Sequence, residues 1–219
     1  MKNNYSTTCL FDLDGTLLCS TNAIVSTFYH SFNQINYKFK GNDEDIKSLI
    51  GYPLETMYKK LGIKDNLIDK FVLEYKKRYK TISKNQTSLL PNALKSIKLA
   101  NTFARVSIVT TKTRQATIPL LQHLKIDQYF EYIIGREDVI NPKPHSEPIL
   151  KVLDLMNIKD KKNIWMIGDT ILDIKSANSS QIKSIGLLCG YGKKEELEKL
   201  TPYIAKDSLE AIKMIKNSL

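Results

Sequence analysis

The chain has 219 residues, 42% of them hydrophobic, enough to bury the core of one domain, alone or with a modest insertion. Its formal net charge of +10 comes from lysines spread among acids, as on solvated helix faces; it argues weakly for a nucleic-acid partner and equally well for drawing in small anions. No run approaches the ~20 apolar residues of a membrane span, the N-terminus lacks a signal-peptide core, and three cysteines without metal-ligand spacing read as reduced thiols of a cytoplasmic protein.

The apolar run 7–13, which gives way to a glycine, predicts a buried strand. From 21 to 83 the pattern predicts no strand. Helix-like segments cover 21–35, 43–50, 53–61 and 66–82. Pro53 suits a first helical position, and Leu67, Phe71, Leu73, Tyr75 and Tyr79 recur at roughly helical spacing. Beyond Pro91, helices (91–101, 113–124, 146–156, 171–179) alternate with strands (104–110, 132–135, 163–168, 182–188). A short strand at 203–205 and a helix over 207–217 follow. Alternation of this kind predicts an α/β fold, a doubly wound, Rossmann-like parallel sheet covered by helices. The first strand belongs to that sheet. The catalytic core is therefore expected over 1–19 and 86–219, with an all-helical cap, 20–85, inserted after the first strand.

Ligands of open parallel sheets bind beyond the carboxyl ends of the strands. The first strand ends in "FDLDGTL", with Asp12 and Asp14. The second ends in Thr110, Thr111 and Lys112. After the third comes "NPKPHSEP" with Lys143, and the fourth ends in "GDTILD" with Asp169 and Asp173. Carboxylates gathered at one edge suit a hard divalent cation, magnesium above all, which would make the close pair Asp12 and Asp14 tolerable. The lysine, the hydroxyls and N–H groups at turns suit a phosphate, and a phosphate beside a strand-end carboxylate points to an aspartyl-phosphate intermediate.

"DLDGT" (12–16), "IVTT" (108–111), Lys143 in "NPKPHSEP" and "GDTILD" (168–173) resemble, in order and spacing, the four motifs of the haloacid dehalogenase-like phosphatases. The helical insertion resembles that superfamily's cap, and "IGYPLETMYKKLG" (50–62) and "GYG" (190–192) resemble its phosphoglycolate phosphatase-like branch. The resemblance implies that Asp12 is the nucleophile and that Asp14 protonates the leaving oxygen and later activates water. It implies that Thr110 and the following N–H bind phosphoryl oxygens and that Lys143 offsets charge. It further implies that Asp169, Asp12 and the backbone carbonyl of Asp14 hold Mg2+, with Asp173 supporting that shell or ligating through water. One of two adjacent carboxylates should have a raised pKa, as a general acid needs. Thr111 stands where asparagine is frequent, and Asn92 where "PG" is common.

A magnesium-dependent phosphatase acting on a small phosphorylated metabolite is the leading expectation. A sugar-phosphate mutase of the same superfamily keeps both aspartates and is the first alternative. A phospho-acceptor signalling module is the second, though such a module has no need of a cap. Tyr52, Tyr75 and Lys76 are the cap residues expected nearest the substrate. The three histidines have no triad or metal spacing. The physiological substrate, and the choice between monomer and homodimer, are not encoded legibly.

Overall fold

A computed structural model describes residues 5–219. Strand β1 (Thr7–Phe11) is buried along its whole length and occupies an inner position of a six-stranded sheet. A two-residue strand, β2 (Leu18–Cys19), leads into helices α1 (Thr21–Gln34), α2 (Asp43–Lys47), α3 (Leu54–Lys60) and α4 (Asp65–Gln86). The chain returns through β3 (Ser88–Leu89), which pairs antiparallel with β2. Then follow α5 (Ala93–Ala100), β4 (Ala104–Val109), α6 (Arg114–His123), β5 (Ile133–Ile134), α7 (Glu147–Leu155), β6 (Ile164–Gly168) and α8 (Ile171–Ser179). The chain ends with β7 (Lys183–Leu187), α9 (Lys194–Glu198), β8 (Ile204–Ala205) and α10 (Ser208–Asn217).

The main sheet runs β5-β4-β1-β6-β7-β8, and every pairing in it is parallel. After β1 the chain builds outward through β4 and β5, then crosses back to build β6, β7 and β8. The reversal makes a topological switch point at β1, the place where such sheets open a crevice beyond their strand ends. Side chains alternate across the sheet with period two. Cys9, Phe11, Trp165 and Ile167 join one buried cluster with Ile97 of α5, Leu120 of α6 and Ile212 of α10. Leu10, Ile164 and Met166 join another with Ile149 and Val152 of α7 and Ala177 of α8. Both faces are thus covered, which is why the strands read as nearly continuous apolar runs.

The strand and helix expectations agree with these elements to within a few residues. The β2–β3 ribbon and α9 were not anticipated. Two-residue strands are too short to show alternation, and "KEELE" buries Leu197 alone, so it has no apolar stripe. Asn92 sits at φ 66°, a left-handed position that only glycine and a few polar residues such as asparagine adopt easily, and its side-chain amide donates to Asp207 at 2.9 Å.

Helices α1, α3 and α4 close on an aromatic core. The Phe28 ring lies 4.6 Å from that of Tyr58 and 5.1 Å from that of Tyr75, and Phe71 lies 5.2 Å from Tyr58. The hydroxyls of Ser31 and Tyr58 share a hydrogen bond of 2.7 Å, which satisfies a fully buried phenol. Phe28→Ala removes the ring at the centre of this packing. Chemical denaturation should show a loss of about 3–5 kcal/mol; a loss below ~1 kcal/mol would mean that the ring does not hold the helices together.

Candidate active site

Registers set the site. Phe11, the last residue of β1, pairs with Ile108 on one side and Ile167 on the other. Asp12 follows β1, Thr110 follows β4 and Asp169 follows β6, so the three leave the sheet at one level. The Asp12 amide donates to the Ile167 carbonyl at 2.9 Å, which carries the strand pairing through the residue itself.

Lys143 arrives from the loop before α7 and is 3% exposed. Its ammonium donates to Asp12 Oδ1 (2.7 Å), Asp173 Oδ1 (2.5 Å) and the Val109 carbonyl (2.9 Å). All three N–H donors are used. The loop is fastened by Glu147, the first residue of α7, whose carboxylate accepts from the amides of Ile140 and Asn141 at 2.8 and 2.9 Å. Those backbone donors lower the Glu147 pKa.

Asp173 caps α8 from within. Its Oδ2 accepts from the Thr170 amide (3.0 Å) and hydroxyl (2.7 Å), while Oδ1 takes Lys143. Asp169, fully buried, accepts from the Thr16 hydroxyl (2.8 Å) and the Tyr191 amide (2.9 Å). Two glycines make room for it. A methyl group on Gly15, at φ 87°, or on Gly190 would overlap the Asp169 carboxylate. The 190–192 stretch therefore wraps the acid with backbone, and Gly192 donates its amide to the Asp169 carbonyl at 3.1 Å.

Asp12, Asp169 and Asp173 each offer a carboxylate oxygen within 4.8 Å of the others, and all three are buried. Burial, only partly offset by the Lys143 ammonium, pushes Asp12 up to about 7. Burial and the neighbouring Asp12 and Asp173 raise Asp169 well above the usual carboxylate range. Burial alone would lower Lys143, but Asp12 and Asp173 outweigh it and raise its pKa. The donor set is all carboxylate, which suits a hard divalent ion. Both oxygens of Asp169 and of Asp173 accept protein hydrogen bonds, and Asp173 holds the Lys143 ammonium that also meets Asp12 Oδ1.

Asp14 points elsewhere. Its Oδ2 pairs with Lys112 Nζ at 2.9 Å and its Oδ1 accepts from the Ser20 hydroxyl at 2.5 Å. Burial is the main cause of the upward shift of Asp12, and the neighbouring Asp14 charge adds only a minor part. Thr110 is buried, and its Oγ1 accepts from the Lys112 amide at 3.2 Å. Thr111 turns to the helical insertion and donates to the Gly51 carbonyl at 2.8 Å. Tyr52, half-buried, lies beside that contact with the Lys60 ammonium 4.9 Å from its ring. Tyr75 is buried in the aromatic core, its ring stacked 5.5 Å from that of Tyr79.

Lys76 is exposed on α4, and the structure does not bring it into this cluster. The cation that joins Asp14 is Lys112. Thr16, Ser20, Tyr79 and Tyr191 were likewise not singled out for the site. Lys112 carries a legible signal, a charge at the same sheet edge as Thr110. The others contribute through tertiary approach alone.

A family model described as haloacid dehalogenase-like hydrolase matches residues 9–187. The chain is 29% identical to pyrophosphatase PpaX of Bacillus cereus B4264 over 97% of each protein. It is 30% identical to pyrophosphatase PpaX of Bacillus mycoides KBAB4 over 82% of each. A haloacid dehalogenase-like family hydrolase of Streptococcus pneumoniae superposes with a TM-score of 0.85 at 25% identity, covering 95% of this chain and 97% of that one. With the family model spanning most of the sequence and the same architecture recurring in solved relatives, the chain belongs to the haloacid dehalogenase-like hydrolases.

Proposed function

We propose that this hydrolase is a magnesium-dependent phosphatase that acts on a small phosphorylated metabolite through an aspartyl-phosphate intermediate. The observation that carries the proposal is Asp12, a carboxylate at the switch point of the sheet, 2.7 Å from a buried lysine and clustered with Asp169. In the first half-reaction an Asp12 oxygen attacks phosphorus, the ester P–O bond breaks, and Asp14 gives its proton to the leaving oxygen. In the second, Asp14 takes a proton from water, the water oxygen attacks phosphorus, and the Asp12–phosphorus bond breaks to release phosphate. Lys143 steadies the Asp12 carboxylate and offsets charge on the phosphoryl oxygens. Thr110 and the N–H that follows it bind those oxygens. Asp12 and Asp169, with the Asp14 carbonyl, would hold Mg2+, which supplies charge neutralisation when bound. Asp173 orients Lys143.

Residues 20–85 act in this proposal as a cap over the strand ends. Support comes from contacts that join insertion and sheet: Thr111 to the Gly51 carbonyl, Lys112 to the Tyr79 hydroxyl at 2.9 Å, and Thr21 with the Tyr191 hydroxyl at 2.9 Å. A cap so close to the acids excludes water and limits the leaving group to a small one. The similarity to PpaX adds inorganic pyrophosphate to phosphoglycolate and sugar phosphates as substrates to assay.

Asp12→Asn should abolish turnover of every phosphate ester while the circular dichroism spectrum stays native. Loss of the nucleophile removes most of a very large rate enhancement, so turnover within tenfold of wild type would refute the covalent route. Mg2+ should raise the melting temperature of the chelator-treated protein and restore its activity, and Asp169→Ala should lose both responses. Undiminished hydrolysis after exhaustive chelation would rule the metal out. The best small metabolite should exceed a phosphopeptide in kcat/KM by at least about 100-fold, the order of effect that misplacing a substrate by an ångström produces. Equal values would overturn the cap's role.

A further inference from the structure

Lys112 has no part in the chemistry above, yet it is more deeply placed than a loop lysine has reason to be. Its side chain is 9% exposed and that of Asp14 13%. Its ammonium meets three groups at once: Asp14 Oδ2 at 2.9 Å, the Tyr79 hydroxyl at 2.9 Å and the face of the Tyr79 ring, whose centroid is 4.4 Å away. Asp14 belongs to the turn after β1, Lys112 to the turn after β4, and Tyr79 to α4 of the insertion. The single cation therefore touches both bodies that a cap movement would separate.

The surrounding contacts hold this arrangement from each side. The Lys112 amide is fixed on Thr110 Oγ1, and its neighbour Thr111 is tied to Gly51 of the insertion. The other Asp14 oxygen takes the hydroxyl of Ser20, the residue just before α1. One carboxylate is thus held at both oxygens by groups whose own positions depend on where the insertion sits. Without Tyr79, the Lys112 ammonium loses its only contact with α4 among those described, along with the ring that shields the ion pair from water. An exposed ion pair of flexible side chains holds its geometry weakly.

We infer that Lys112 is a positioning residue that couples the seating of α4, through Tyr79, to the orientation of the Asp14 carboxylate. With α4 seated, the ammonium is pinned from above and Asp14 is held in one rotamer at the strand ends. With α4 withdrawn, the pin is gone and Asp14 is free to leave the orientation in which it exchanges protons with the leaving group. The device makes proton transfer conditional on a seated cap. It rests on the acid–base role proposed for Asp14, and two mutant cycles test it separately from that role.

Lys112→Met should lower kcat on a small phosphate ester by about 10- to 100-fold, the scale set by misplacing one proton-transfer group, with KM changed less than about threefold. Lys112→Arg should recover part of the loss. Tyr79→Phe, which keeps the ring and removes one hydroxyl, should cost a smaller factor, about two- to fivefold, and cost nothing further in the Lys112→Met background. Adding Lys112→Met to Asp14→Asn should likewise leave the residual rate unchanged. Multiplying losses in either cycle would overturn the proposal, as would wild-type kcat in Lys112→Met. A KM raised tenfold at unchanged kcat would also overturn it, because Lys112 would then act on substrate directly. If Asp14→Asn is crippled while Lys112→Met and Tyr79→Phe are not, the coupling fails and the acid–base role stands. If Asp14→Asn itself turns over like wild type, that role falls, and the coupling with it.

Discussion

The Lys143 ammonium, enclosed between the carboxylates of Asp12 and Asp173 and the carbonyl of Val109, is the interaction on which the rest of the site depends. An ammonium taken out of water loses its hydration, and only close, well-directed acceptors restore it. Each acceptor here comes from a different part of the fold: β4, the turn after β1 and the first turn of α8. Bringing them to one point requires parallel strands in a single register and a helix that starts at the right height. Removing any one carboxylate would leave a buried charge short of a partner, which typically costs about 3–5 kcal/mol. Asp12 in turn needs the lysine, since burial drives it toward its neutral form and the ammonium opposes that shift.

The same economy of space governs the backbone around Asp169. A carboxylate with no exposed surface has to be met by N–H and hydroxyl donors. The residues that bring those donors near must carry no side chain in the way, hence glycine at 15 and 190. Outside the sheet the contacts become longer-range and fewer. Thr111, Lys112 and Tyr191 each reach one residue of the insertion, which adds individually weak polar contacts to the hydrophobic cluster that its aromatic residues share with one face of the sheet.

Much of this was legible in the sequence because the informative signals are local. An apolar run that gives way to polar residues says where a strand ends, and four such ends in chain order, the third with its following loop, are enough to gather Asp12, Thr110, Lys143 and Asp169 on one edge. Lys143 is the clearest instance: a lysine between two prolines in a loop has a restricted backbone, and the structure puts its ammonium in the acidic cluster. What the sequence hid depends on approach between distant segments. Nothing near Tyr79 distinguishes it from the other apolar-stripe residues of α4, and Lys76, three positions earlier, carries the more suggestive charge. Tyr79 lies on the buried stripe of α4 with Phe71, Val72 and Tyr75, and Lys76 falls just outside that stripe, exposed. The partner of Asp14 was hidden for a similar reason. Closeness in sequence suggested a repelling pair with Asp12, whereas the strand ends at Phe11 and the two carboxylates beyond it go to different partners, Lys143 and Lys112.

The two-residue ribbon of β2 and β3 has a consequence for the ancestry of such chains. Leu18 pairs with Leu89 and Cys19 with Ser88, so the polypeptide leaves the sheet body and re-enters it at neighbouring points, one strand spacing (about 5 Å) apart. A gap of that width can be closed by a two-residue turn. Everything between is therefore excisable in topological terms: it could be lengthened, exchanged for an unrelated fold or deleted without changing the order or register of any strand in the main sheet. Change at this junction leaves the acids where they are.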